Sequence, residues 1–344
     1  MTSTPTTFAD VRPPVLEVIG LRKHYKVRGS GLRDKPRTVQ AVSDISFRLA
    51  PGTTLGIVGE SGCGKSTTAR LIMGLMDIDD GDIRLNGATV GRSASALKAL
   101  RRDVQMVFQD SSASLNPRMS IEESIMFGPV VHHVAKPAAR AKAHELLNRV
   151  GLDPTRFAGR YPHELSGGQR QRVNIARALA LDPKVVIFDE AVSALDKSIE
   201  AQVLNLLLDL KAEFDLSYIF ISHDLNVVQY VSDTVVVMYL GKIVEQGPVA
   251  AIYGNPGHPY TRALLASMPS LDPESRTLSA PITGDPPSPI DPPSGCRFHT
   301  RCAFSGPSCV TDEPELSILP DEHSIRCHMA DPQSRHALAG SITS

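Results

Sequence analysis

Thr54-Leu55-Gly56-Ile57-Val58-Gly59-Glu60-Ser61-Gly62-Cys63-Gly64-Lys65-Ser66-Thr67 is the stretch on which the fold turns. Leu55 to Val58 form a short apolar run, the mark of a buried strand, and a helix-like pattern continues to Met76. A glycine-rich loop lies between them. Strand, loop and helix in that order open a nucleotide-binding α/β unit. The glycines let successive backbone N–H groups turn inward around phosphate oxygens, and the first turn of the helix adds its dipole. On this pattern Gly59, Glu60, Ser61, Gly62, Cys63, Gly64, Lys65, Ser66 and Thr67 are the candidate phosphate-contacting residues. Lys65 is expected to reach the β- and γ-phosphates of ATP, and Ser66 to offer its hydroxyl to Mg²⁺. Cys63 needs no role beyond being small enough to fit the loop.

Val185 to Phe188 form a second buried strand, and the acidic pair Asp189-Glu190 stands at its C-terminal end, where ligands of open parallel sheets sit. Asp189 is expected to hold Mg²⁺, mostly through water. Glu190 is then placed to polarise the attacking water as general base. Tyr218 to Ile221 read as a third strand; helices predicted over 169–181 and 199–214 supply the crossovers of a parallel sheet.

Further out, residues 15–50 alternate apolar and polar positions and read as antiparallel strands around a polar insertion, Arg28 to Thr38. Residues 95–165 are mostly helical in pattern. After Asn255 periodicity fades, and residues 284–295 are proline-rich. The expected organisation is a flexible N-terminus over 1–14, a nucleotide-binding domain over 15–254 and a proline-rich connecting segment over 255–294. A cysteine-rich module over 295–330 and a flexible tail over 331–344 complete it. No internal repeat is visible, so there is one cassette.

Composition removes other classes. With 344 residues, 42% hydrophobic content and a formal net charge of −1, the chain can bury a core but carries no electrostatic footprint for nucleic acid. No apolar stretch opens the chain, and no run approaches the ~20 residues a membrane helix needs. Membrane attachment is therefore expected only through partners.

Kinases, GTPases and recombination ATPases share every element so far. Leu165-Ser166-Gly167-Gly168-Gln169, followed by Arg170-Gln-Arg-Val-Asn-Ile-Ala-Arg177, narrows the class. Ser166 and the glycines open a helix whose N–H groups can bind an anion. The chain already owns one phosphate cradle, so a second exposed one implies a γ-phosphate offered by another subunit. The pentapeptide resembles the signature sequence of ABC ATPases, and the resemblance covers residues 15–265. It implies an α/β fold with a RecA-like P-loop core, an antiparallel β subdomain and a helical signature subdomain. It also implies that Gln109 senses Mg²⁺ and the transport subunit, that Asp196 in Ser193-Ala-Leu-Asp196 crosses a dimer interface, and that His223 contacts the γ-phosphate. Tyr25 occupies the place of the aromatic that stacks on adenine. Catalysis then falls to Glu190, His223 and Gln109, and Mg²⁺ to Ser66, Gln109 and Asp189. Ser166, Gly167, Gly168, Gln169 and Asp196 join the ATP contacts from across the dimer. ABC ATPases of chromosomes or translation carry long coiled coils or two cassettes, and this chain has neither.

Two stretches resemble the oligopeptide/dipeptide importer branch: Gln109-Asp-Ser-Ser-Ala-Ser-Leu-Asn-Pro-Arg-Met119, with Ser111 where that branch usually has proline, and Asn255 to Pro269. The tail follows the same branch. That implies a second, different ATPase subunit, two permeases, an extracytoplasmic solute-binding protein and a position on the cytoplasmic face of the membrane. Nickel chelates, glutathione or other solutes are the alternative cargo. Cys296, Cys302, Cys309 and Cys327 are spaced C-x5-C-x6-C-x17-C. Four thiolates suit a [4Fe–4S] cluster or Zn²⁺. Zinc sites favour paired CxxC spacing, which is absent, and the branch resemblance favours the cluster. His299, His323 and His328 are possible substitute ligands.

Overall fold

The computed structural model describes residues 13–27, 37–268, 284–319 and 322–342. Most of the expected flexible N-terminus, residues 28–36 of the polar insertion and 269–283 of the proline-rich segment lie outside them. The chain opens with β1 (Leu16–Val27) and β2 (Arg37–Leu49), paired antiparallel, and continues into β3 (Thr54–Val58) and helix α1 (Lys65–Ile72). Next come β4 (Asp80–Leu85), β5 (Ala88–Thr89), α2 (Ala94–Asp103) and β6 (Val104–Val107). A helical block follows, with α3 (Ile121–Val131), α4 (Lys136–Arg149), α5 (Pro154–Phe157) and α6 (Gly167–Leu179). Then β7 (Val185–Asp189), α7 (Lys197–Glu213), β8 (Ser217–Ile221), α8 (Leu225–Val231) and β9 (Thr234–Tyr239) alternate before β10 (Lys242–Pro248), α9 (Val249–Gly254) and α10 (Pro259–Ala266). Beyond the proline-rich segment lie α11 (Pro307–Thr311), β11 (Ser317–Ile318) and β12 (Ser324–Ile325).

The strands make two sheets, an antiparallel one in the order β2-β1-β4-β5 and a larger one in the order β11-β12-β10-β9-β3-β8-β7-β6. From β6 to β9 the larger sheet is parallel. Its strands are apolar without interruption because both faces are covered. Val185, Ile187, Ile219, Ile221, Val236 and Met238 face a core shared with β1, β2 and α1. Their neighbours Val186, Phe188, Tyr218, Phe220, Val235 and Val237 face the opposite core, built with the helices of the signature region. The period of two along each strand thus divides one apolar run between two cores.

The helix after the glycine loop ends at Ile72, short of the expected Met76. Gly74 N–H bonds to Leu71 O and Leu75 N–H to Arg70 O, a Schellman turn that terminates the helix. Helix α3 begins with a full capping box in which the Ser120 hydroxyl receives Glu123 N–H and the Glu123 carboxylate receives Ser120 N–H.

The C-terminal extension is not an appendage on a string. Strand β12 pairs antiparallel with β10, Ile325 opposite Glu245, so the extension continues the larger sheet. Glu245 is wholly buried and accepts hydrogen bonds from Gly257 N–H, His258 N–H and His323 Nε2, the last at 2.6 Å. Burial alone would raise its carboxyl; the hydrogen bonds outweigh burial and hold it below the usual carboxylate range. His323 is not among the residues that line the cavity shared by the four cysteines. The described residues of the segment expected as a connector are packed at both ends, with Tyr260 on α10 fully buried and Pro289 O accepting Gln40 N–H. Residues 331–342, expected as a flexible tail, fold back instead: Ile342 is buried and His336 Nε2 meets Phe304 O. Their apolar and hydrogen-bonding groups close a small core around Ile325, Cys327, Met329 and Ala330. Ile325→Ala, which removes the fully buried side chain joining β12 to this core, is expected to destabilise the chain by about 2–5 kcal/mol in guanidinium unfolding.

Candidate functional site

The parallel strands deliver the site residues to one end of the sheet. β3 runs into the phosphate loop, β6 into Gln109, β7 into Asp189 and Glu190, and β8 into His223. Although β8 separates β3 from β7 in the sheet, the Ser66 hydroxyl reaches across and donates to Asp189 Oδ1 at 2.8 Å. Asp189 is buried; burial raises its carboxyl, Ser66 lowers it and the adjacent Glu190 raises it again, with a net upward shift. A hard divalent cation beside it would reverse that balance, and a hydroxyl and a carboxylate in contact are a fitting donor set for Mg²⁺.

Lys65 is buried, its ammonium donating to Gly59 O at 2.7 Å and Glu60 O at 3.1 Å. Those carbonyls solvate the ammonium, which among the described residues makes no ion pair. Cys63 is a buried member of the loop, and burial pushes its thiol up, consistent with an inert packing side chain.

Glu190 collects the remaining polar residues. Gln109 Nε2 donates to Glu190 Oε2 at 2.9 Å, and His223 Nδ1 stands 3.4 Å from the same oxygen. The Glu190 backbone is left-handed at φ 49, unusual for a side chain branching into a site. Three contacts hold it there: its N–H on Ile221 O, and its carbonyl accepting Ser193 N–H and the Ser193 hydroxyl. Sequence reading missed a tie beside them. Lys197, next to Asp196, bridges Asp224 at 2.8 Å and Glu200 at 2.9 Å, binding the start of α7 to the loop that carries His223. An Asp-Lys pair in such loops has no pattern that a sequence alone would reveal.

Tyr25 lies on β1 opposite Val39, two residues before Ala41, which abuts the phosphate loop; its hydroxyl meets Met76 Sδ at 3.5 Å. Ser166 to Gln169 and Asp196 are elsewhere. Among the described residues no hydrogen bond or ion pair joins them to the phosphate loop. Ser166 is exposed and caps α6: its hydroxyl accepts Gln169 N–H, and Gln169 Oε1 accepts Ser166 N–H.

The four C-terminal cysteines line one small cavity, together with His258, His299, His328 and His336. Among the described residues no three His, Cys, Asp or Glu side chains converge closely enough to hold a single metal ion. His299 Nδ1, His328 Nε2 and His336 Nε2 each bond a backbone carbonyl. His258 differs. It is wholly buried, its Nδ1 accepts Tyr260 N–H, so Nε2 carries the proton, and that proton has no partner. Burial pushes the Cys296 thiol up to about 12 and the Cys327 thiol up to about 11.

Fold and site together are those of an ABC-type ATPase. The ABC transporter family matches residues 42–193, and the oligopeptide/dipeptide transporter C-terminal region matches residues 244–309. The probable peptide ABC transporter ATP-binding protein y4tS of Sinorhizobium fredii is 47% identical over 92% of this chain and 90% of its own length. The oligopeptide transport ATP-binding protein OppF of Escherichia coli is 47% identical over 93% of this chain and 98% of its own. Among solved structures, the dimeric ATP-binding cassette MJ0796 in a post-hydrolysis state with ADP and Pi aligns with a TM-score of 0.59 at 26% identity. That alignment covers 68% of this chain and 98% of the cassette. The chain belongs to the ATP-binding subunits of ABC transporters, in their oligopeptide/dipeptide branch. No helix among the described residues is long and apolar enough to cross a membrane. Ser166→Ala, which breaks the capping box of α6, is expected to cost about 1 kcal/mol of stability, read as a lowered thermal midpoint of the isolated chain.

Proposed function

We propose that this chain hydrolyses ATP at composite sites of a nucleotide-binding dimer and so drives import of oligopeptides or dipeptides through partner permeases. The observation that carries the chemistry is the convergence of Gln109 and His223 on one oxygen of Glu190, beside the Ser66–Asp189 contact. Lys65 turns its ammonium from the loop carbonyls to the β- and γ-phosphates. Glu190 takes the proton of the attacking water, Gln109 orients that water, and His223 steadies the γ-phosphate. Ser66, Gln109 and Asp189 would hold Mg²⁺, which when bound offsets polyphosphate charge. Tyr25 stacks on adenine.

Ser166 to Gln169 and Asp196 serve a different site. The exposed Ser166 at the start of α6, joined by no hydrogen bond or ion pair to this chain's own phosphate loop among the described residues, supports a role across a dimer interface, where that N-terminus meets a partner's γ-phosphate. The partner is a second, non-identical ATPase subunit. Two permeases carry the pair at the cytoplasmic face, and an extracytoplasmic solute-binding protein supplies the cargo. The names of the relatives support peptides as that cargo. In the assembled transporter, Glu190→Gln is expected to retain ATP while turnover falls by about 10²–10⁴-fold. Undiminished hydrolysis would remove Glu190 from the base role.

Cys296, Cys302, Cys309 and Cys327 hold a [4Fe–4S] cluster in this reading. Thiols that share a cavity without converging on one point suit a group larger than a single ion, and a sulfur acceptor there would satisfy the orphaned His258 proton. The cluster supplies structural cross-linking of the extension. Anaerobically purified chain is expected to contain iron and acid-labile sulfide, and Cys302→Ser to lose both; stoichiometric zinc without iron would replace the cluster with Zn²⁺.

A further inference from the structure

Glu60, the second residue of the phosphate loop, is held from outside the cassette. Arg301 Nη1 and Nη2 donate to its two carboxylate oxygens at 2.8 and 3.1 Å, a bidentate pair between residues 241 positions apart. The Arg301 side chain is 7% exposed and that of Glu60 is 23% exposed, so the pair is shielded from solvent ions. The Glu60 backbone is held as well: its N–H donates to the hydroxyl of fully buried Tyr260 at 2.9 Å. Arg301 also lies 6.0 Å over the Tyr239 ring, and Tyr239, Tyr260 and Phe298 pack on one another with ring centroids 4.7–5.4 Å apart. Arg301 directly precedes Cys302, so its position is set by the cysteine-bearing module.

We propose that Arg301 is a positioning residue for nucleotide binding: it masks the one carboxylate in the phosphate loop, and through it the C-terminal module sets how strongly that loop holds a polyphosphate. Lys65 donates to the main-chain carbonyl of Glu60, so the carboxylate hangs from a residue next to the ammonium expected on the β- and γ-phosphates. An unmasked Glu60 carboxylate there repels an incoming triphosphate and competes for the Lys65 ammonium. Arg301 cancels that charge without occupying the cradle. A planar guanidinium matches a carboxylate at two points, and lysine cannot reproduce the match.

The inference rests on the loop being the nucleotide site, which ATP binding by the unsubstituted full chain checks separately. Equilibrium titration of ATP and ADP onto the full chain, Arg301→Gln, Arg301→Lys and Arg301→Gln/Glu60→Gln tests the charge mechanism. Arg301→Gln is expected to weaken ATP binding about tenfold and ADP binding less, because ATP carries more charge. Arg301→Lys falls between. Adding Glu60→Gln to Arg301→Gln recovers most of the lost affinity, since the repelling charge is gone. A double variant as weak as Arg301→Gln alone, or Arg301→Gln with unchanged affinity, overturns the proposal. If Arg301→Gln fails to fold, full affinity in the folded Arg301→Lys variant overturns it in the same way. No ATP binding by the unsubstituted chain sinks the nucleotide reading and the proposal with it.

Discussion

The phosphate loop lies against main chain on both sides, and much of the architecture follows from that contact. Gly59 and Gly64 have φ values of 148 and 108, and a Cβ at either would sit on a carbonyl oxygen, of Met238 and Ala41 respectively. The same neighbours are laced by hydrogen bonds: Gly241 N–H donates to Cys63 O, and Ser43 N–H to Gly241 O, both at 2.8 Å. The loop is therefore clasped between β2 of one sheet and the β9–β10 turn of the other. The two sheets share one apolar core, and this clasp ties their mutual placement to the geometry of the cradle.

The convergence of Gln109 and His223 on Glu190 comes with local backbone strain there, since a left-handed conformation is rare for this residue type. Strand β8 and Ser193 over-determine it with three hydrogen bonds. The carboxylate is thus presented by rigid strand ends, while Gln109 and His223 reach it from loops at neighbouring strand ends. Loops on a fixed sheet can respond to ligands without disturbing the apolar strands beneath them.

Motifs built on main-chain requirements were legible in the sequence. The Gly59–Ser66 loop, the Asp189-Glu190 strand end and the Ser166–Gln169 helix start each need particular residue types at fixed spacing, and each lies on the element expected for it. Helix limits were less legible, since the Schellman turn at Gly74 cuts α1 short where the apolar pattern continues. The C-terminal region was misread most. Strands of two residues leave no periodicity, so the pairing of β12 with β10 has no sequence signal, and residues 331–342 looked like polar tail. Long-range pairs such as Glu60–Arg301 and Glu245–His323 depend on tertiary folding that no local spacing encodes.

The pairing of β12 onto β10 also bears on how the chain could be divided. A cassette cut after α9 would present β10 as an open sheet edge, with unpaired N–H and C=O groups ready to template another strand. It would also take from Glu245, wholly buried in the chain, every one of its hydrogen-bond donors at Gly257, His258 and His323. The extension therefore shares a sheet and an apolar core with the cassette.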